Sequence, residues 1–114
     1  MLERLVSRRG FAMSHVTDVL LLASLEDSGV QKVQQWLEEN KWPKLVEISD
    51  HAGGNKAMQC EVWAAAINYF DIEAFAAAVK SIEWEYPDSV QLLVKDEHDE
   101  WFCSSEKEIQ YHLS

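Results

Sequence analysis

The sequence contains few cysteines, prolines and glycines, and it has no long apolar run. Its two cysteines, Cys60 and Cys103, lie far apart and show no CxxC or Cys/His spacing, so no metal or redox motif is recognisable. Two prolines and four glycines exclude collagen-like and linker-like compositions. No apolar run approaches the roughly 20 residues of a membrane-spanning helix. With 47% hydrophobic residues, the 114-residue chain is predicted to be a globular protein whose thiols are reduced and buried.

Basic residues are also scarce. Ten Lys and Arg stand against twenty Asp and Glu, which gives a formal net charge of −10. Three of the basic residues, Arg4, Arg8 and Arg9, fall within the first twelve positions. The remainder of the chain would repel a phosphate backbone, so direct nucleic-acid binding is not expected. A basic protein is the expected partner. No membrane contact and no cofactor are expected.

The N-terminal stretch MLERLVSRRGFA has a basic character and contains SRRGF, which is similar to the core of a twin-arginine export signal. His15 and Asp18 interrupt the apolar segment that should follow such a signal. We therefore expect a cytoplasmic location, with residues 1–12 a dispensable or disordered segment and residues 13–114 a single α+β domain. Met1 and Met13 both remain open as the natural start.

Hydrophobic periodicity predicts the first half of the domain. The apolar run of residues 18–24 is typical of a central strand buried on both faces. A helix follows with the apolar stripe Val30, Val33 and Leu37; Asp27 or Ser28 is its predicted N-cap and Asn40 its stop. Alternation then predicts strands at residues 44–50 and 57–63.

The second half repeats this pattern of helix and strand. Asp71 is predicted to cap a helix in which Phe75 and Val79 recur at helical spacing. Residues 89–95 alternate as a strand, and residues 100–105 could pair back with it. The resulting order β-α-β-β-α-β resembles that of ferredoxin-like folds: an antiparallel sheet with two helices on one face and a possible extra C-terminal strand. This is a resemblance of element order, so it transfers no activity.

The predicted alternation also divides the sheet into two faces. The face under the helices is assigned Val46, Ile48, Met58, Cys60, Val62, Leu92 and Val94. The open face is assigned Glu47, Gln59, Glu61, Trp63, Gln91 and Leu93. Carboxylates mixed with an exposed aromatic are typical of a protein-binding surface. The predicted partner-binding residues are accordingly Glu47, Glu61, Trp63, Asp96, Glu97, Asp99 and Trp101.

The glycine-rich stretch SDHAGGNKAMQC, residues 49–60, is interpreted as a hairpin connection in which Gly53, Gly54 and Asn55 supply positive φ angles. The alternative is a ligand loop formed by His51, Asn55 and Lys56. His51 with Cys60 is the one arrangement that suggests catalysis, but an inward thiol is unreactive, so no catalytic residue is predicted. The stretch DEHDE lacks calcium-loop spacing, and no metal site is predicted.

Two functions fit these observations. The first is a small acidic protein-binding module, most concretely an inhibitor or immunity-type protein that docks a basic partner such as a nuclease. The second is a small-molecule-binding protein or enzyme that uses the loop from His51 to Lys56. A homodimer through the open sheet face or an edge strand is also compatible with the pattern. Enzymatic activity is not expected.

Overall fold

The fold is centred on strand β1, and a computed structural model describes residues 15–104. The predicted N-terminal segment, residues 1–12, lies outside this range. The elements in chain order are β1 (Val16–Ala23), α1 (Gly29–Glu39), β2 (Val46–Glu47), β3 (Glu61–Asn68), α2 (Ile72–Ser81), β4 (Gln91–Asp96) and β5 (Cys103–Ser104). The predicted α+β class is confirmed.

The strands form one antiparallel sheet in the order β2-β3-β1-β4-β5. The apolar run at the start of the domain forms the central strand, as predicted. It is not buried on both faces, because only alternate residues of β1 are buried and the helices cover one side of the sheet. The additional C-terminal strand is also present, since Cys103 pairs with Val94. The strand predicted at residues 44–50 is reduced to β2, Val46–Glu47, because a 3₁₀ turn at Ser49–His51 takes the chain out of the sheet.

Helix α1 confirms the predicted apolar stripe. Val30, Val33 and Leu37 are buried, and the helix ends where the sequence places its stop. The Asn40 side chain donates a hydrogen bond to the Trp36 carbonyl, and Lys41 follows with φ +64°. A left-handed residue directly after the helix is a common helix ending.

Helix α2 begins at the predicted cap, since an Asp71 carboxylate oxygen accepts a hydrogen bond from the Ala74 N–H. Phe75 and Val79 are buried, as the helical spacing predicts. They join α1 residues Val33 and Leu37 in one hydrophobic core on the sheet. Neither helix is long and apolar enough to cross a membrane within residues 15–104.

The two faces of the sheet follow from the register of β1. Thr17, Val19, Leu21 and Ala23 are buried, so they define the inner face under the helices. Residues that are directly paired on neighbouring strands point to the same face of the sheet. The inner face therefore also includes Glu61, Trp63, Ala65 and Ile67 of β3, Glu47 of β2, and Leu92 and Val94 of β4. The opposite, outer face consists of Val16, Asp18, Leu20, Leu22, Val46, Val62, Ala64, Ala66, Asn68, Gln91, Leu93, Lys95 and Ser104.

This register corrects the predicted faces of β2 and β3. Trp63 packs against the core, whereas Val46, expected to be inward, is 64% exposed. The alternation was misleading because β3 begins at Glu61 and continues through three alanines, which carry little hydrophobic signal. A one-residue change of parity moves every side chain to the other face. Burial of Trp63 and Ile67 determines the parity, and the assignments for β4 are confirmed.

Met58, Cys60 and Ile48 also differ from their predicted inward positions. Met58 and Cys60 precede β3 instead of belonging to it, and Met58 is exposed. Ile48 donates its N–H to the Val62 carbonyl and is 39% exposed. Met58, Cys60 and Ile48 thus lie outside the core.

Asp27 fixes the beginning of α1 to the connection between α2 and β4. The side chain is 3% exposed, and its carboxylate accepts hydrogen bonds from the N–H groups of Gly29, Glu85 and Tyr86. Burial alone would raise the pKa of Asp27. The three N–H donors, with the positive charge of Lys32, outweigh burial and hold the pKa below its ordinary value.

Candidate functional site

The predicted partner-binding residues fall into two groups at opposite ends of the sheet. Asp96 is paired with Thr17, near the start of β1, whereas Glu61 is paired with Ala23 at the end of that strand. These β1 residues are about 20 Å apart at the usual rise of a strand. One group comprises Asp96, Glu97, Asp99 and Trp101, and the other comprises Glu47, Glu61 and Trp63. The sheet therefore does not bring all seven residues into one compact site.

The carboxylates of the first group lie in the acidic turn, residues 96–100, between β4 and β5, and Trp101 follows it directly. Asp96 accepts a hydrogen bond from the Thr17 hydroxyl at 2.7 Å, and its own N–H donates to Asp99 at 3.0 Å. Glu97 accepts the N–H of Val16 at 2.8 Å. These hydrogen bonds hold the carboxylates of Asp96, Glu97 and Asp99 in position, and each bond occupies one oxygen of its carboxylate.

Exposed aromatic rings adjoin the acidic turn. Trp101 is 74% exposed and Phe102 is 41% exposed. His15 stacks with Tyr69 at 6.4 Å between ring centroids, and its ring lies 6.0 Å from that of His98. His15 Nε2 is 3.8 Å from an Asp96 carboxylate oxygen. This end of the sheet thus combines carboxylates with aromatic surface, the combination predicted for a basic partner.

Residues His15 and Tyr69 were not among the predicted site residues. They flank β1 and β3, and the Tyr69 N–H donates to the His15 carbonyl, which holds both at the end of the sheet. Only the pairing of β1 with β3 and with β4 brings them beside the acidic turn, so no local sequence pattern indicates them. Within residues 15–104, no three His, Cys, Asp or Glu side chains come together as metal ligands.

The second group is engaged in contacts within the domain. The Trp63 indole N–H donates to one oxygen of Glu61 at 3.0 Å, and the other oxygen accepts the N–H of Glu26 at 2.9 Å. Glu47 accepts a hydrogen bond from the Ser49 hydroxyl at 2.6 Å. Because Trp63 packs against the core, it offers a partner less surface than the predicted open-face position would.

The connection between β2 and β3, residues 48–60, contains the alternative ligand loop from His51 to Lys56 and borders a cavity of about 320 Å³. It is lined by Leu25, Glu47, Ser49, Asp50, Ala52, Lys56, Ala57, Met58 and Cys60. Lys56 therefore reaches this cavity, whereas His51 and Asn55 are exposed and do not line it. The loop connects two antiparallel strands as predicted, but only Gly54 of the three turn residues has a positive φ.

Both cysteines are free thiols, and neither is fully buried. Cys60 is half-buried at the cavity, and Cys103 is exposed on the edge strand β5. This corrects the expectation that both pack as small hydrophobic residues. Cys60 and Lys56 both line the cavity, but His51 does not, so the base suggested for this thiol is not placed in the cavity.

No protein-family model, curated protein or solved structure matches this chain. The function is therefore inferred from the chain's own surfaces.

Proposed function

We propose that this protein is a small acidic protein-binding module, most concretely an inhibitor or immunity-type protein that docks a basic partner such as a nuclease. The observation that carries this proposal is the combination of an ordered acidic turn with the highly exposed Trp101. A nuclease must present a basic groove to its substrate, and carboxylates can occupy such a groove in place of phosphates.

The internal hydrogen bonds of the acidic turn favour tight binding. A loop that must become ordered on association loses free energy in doing so, whereas a loop already held in place does not. The bonds to Thr17 and Val16 connect the turn to the central strand. Asp96 and Glu97 are therefore anchored to the most extensively paired strand of the sheet.

Trp101 supplies the second element of the proposed surface. Large aromatic residues are frequent binding hot spots, and a tryptophan face also attracts Lys and Arg side chains. Trp101 directly follows the last carboxylate of the turn, Glu100. We assign Asp96, Glu97, Asp99 and Trp101 to the primary contact. Glu47, Glu61 and Trp63 would contribute only to a partner large enough to reach the other end of the sheet.

We also infer that the domain is of the ferredoxin-like type. The order β-α-β-β-α-β and the position of β3 between β1 and β2 support this finer assignment. The net charge of −10 supports a partner other than nucleic acid. A cytoplasmic location is part of the proposal, because His15 and Asp18 interrupt the segment that would follow an export signal.

The test is capture of partners from the native lysate by three forms of the immobilised protein. The first is the wild type, and the second is the turn variant Glu97→Gln/Asp99→Asn/Glu100→Gln. The third, named the helix variant, is Glu39→Gln/Glu73→Gln/Glu83→Gln, which removes the same charge at exposed positions in α1, in α2 and just after α2. We expect one basic protein at stoichiometric level on the wild type and the helix variant, and its loss from the turn variant.

Purified components then give the affinity. Binding should weaken steeply as salt increases, because charge attraction is screened over about 10 Å at 0.1 M salt. Trp101→Ala should weaken binding by about 2 kcal/mol or more. Equal weakening by the turn and helix variants would show that only net charge matters, and it would contradict the assigned surface.

The cavity at residues 48–60 favours the second candidate, a small-molecule-binding protein or enzyme. Its volume falls at the lower end of that of ligand pockets, and it combines Lys56 with apolar residues such as Met58. A screen of small anions and metabolites by thermal shift tests this function. A ligand whose effect is lost in Lys56→Ala but retained in the exposed control His51→Ala, and which is largely insensitive to salt, would favour it over protein binding.

A further inference from the structure

The outer face of the sheet is apolar at its centre. Val46, Ala64, Leu20 and Leu93 are aligned in register across four neighbouring strands. Leu20, Ala64 and Leu93 are only half-buried, and none of these four residues belongs to the core or packs against it. The core and both helices occupy the inner face. A row of apolar side chains is therefore left at the surface of the described domain.

The charges on this face are balanced, unlike those of the chain. Asp18 and Lys95 are the only charged residues among the strand positions that define the outer face. They are directly opposite one another on β1 and β4, and neither makes an ion pair within residues 15–104. The net charge of −10 therefore resides elsewhere on the protein.

We infer that the outer face binds a second copy of this chain, with the two sheets packed face to face around a two-fold axis. In such a dimer each patch meets itself, so the patch must be complementary to itself. A two-fold axis parallel to the strands and midway between β1 and β4 brings each Asp18 over Lys95 of the second copy. This follows because the two residues are paired in register. The same operation brings Leu20 over Leu93 of the second copy.

The charges on the outer face favour a second copy of this chain over a basic protein as the partner that binds there. A basic partner gains attraction from the acidic turn, and it gains little from a face whose single carboxylate is balanced by Lys95. Two copies of an acidic chain repel one another across most of their surfaces. The strand positions of the outer face carry no net charge, so this repulsion is small there, and association buries apolar area. This inference is independent of the acidic turn.

Sedimentation velocity of the full-length protein over a range of concentrations tests the inference. We expect the wild type to be a dimer and Leu93→Glu to be a monomer. The matched control Leu25→Glu, an exposed leucine outside the outer face, should remain dimeric. Circular dichroism establishes that each variant is folded.

A charge exchange tests the symmetry without disturbing the apolar row. Asp18→Lys and Lys95→Asp should each weaken dimerisation at least tenfold, since each places like charges over one another. The double variant Asp18→Lys/Lys95→Asp should restore dimerisation to near the wild-type level. These variants decide the question even if Leu93→Glu does not fold.

Three results would overturn the inference. The first is a wild type that is monomeric at every concentration. The second is a dimer that persists in a folded Leu93→Glu variant or in the single variants Asp18→Lys and Lys95→Asp. That result would indicate that the dimer forms through an edge strand. The third is a dimer lost on deletion of residues 1–12. The turn variant should dimerise normally, so failure of this inference is distinguishable from failure of the proposed protein-binding function.

Discussion

The ring of Trp84 lies directly against Gly29, the first residue of α1. A Cβ atom at position 29 would overlap the six-membered ring of Trp84. The ring is held in place because its indole N–H donates to the Val79 carbonyl at the end of α2. Glycine at this position therefore permits close contact between the start of α1 and the segment that follows α2.

We expect Gly29→Ala to destabilise the domain by about 1–3 kcal/mol, the usual cost of overpacking. Alanine normally stabilises a helix relative to glycine, so the sign of the effect is diagnostic. Urea unfolding measures it. Gly53→Ala is the control, because a Cβ there meets no atom within 4 Å. Equal stability of the two variants would show that Trp84 moves aside at little cost.

Asp27 should make stability depend on pH. Its folded-state pKa is lower than the unfolded value of 3.8, so the stabilisation is present above that value and is lost as the pH falls through the folded-state pKa. Asp27→Asn should therefore cost about 2 kcal/mol at pH 7, and the difference from the wild type should shrink in acid. Denaturant unfolding at several pH values checks this, with the exposed Asp88→Asn as the charge control. A difference independent of pH would contradict it.

Phe75 is fully buried and contacts the rings of Trp36 and Phe70, at 5.8 and 5.1 Å between centroids. Phe75→Ala should cost about 3–5 kcal/mol in the free energy of unfolding, because it leaves a cavity between α2 and the sheet. Denaturant unfolding gives the value. A cost below about 1 kcal/mol, as for a surface position, would be incompatible with this packing.

Trp63 and Trp101 should respond oppositely to the same substitution. Trp63→Ala removes a side chain packed against the core, so we expect a loss of at least about 2 kcal/mol in stability. Trp101→Ala should change stability by less than about 0.5 kcal/mol, since the side chain is 74% exposed. Thermal and urea unfolding compare the two. A stable Trp63→Ala variant would mean that Trp63 does not face the helices.

The local sequence pattern was sufficient to predict those elements whose buried face is encoded within a single segment of the chain. Both helices, their apolar stripes and the Asp71 cap were predictable, because helical periodicity and caps are encoded within a single segment. The alternation of β4 was equally clear, since Leu92 and Val94 differ strongly from Gln91 and Lys95.

The candidate site was only partly predictable. Its carboxylates and Trp101 follow from the composition of one turn. The neighbouring His15 and Tyr69 are distant in sequence, and only the pairing of β1 with β3 and β4 places them there.

By itself, the sequence determined the acidic charge, the α+β class, the helices and the central position of β1. Tertiary structure alone decided the parity of β3, because Ala64, Ala65 and Ala66 fit either face equally well. Burial of Trp63 and Ile67 under the helices decides the parity, and the pairing then places Val46 and Val62 on the outer face. The physical reason is that a strand's period of two leaves two registers, and only packing against another layer distinguishes them.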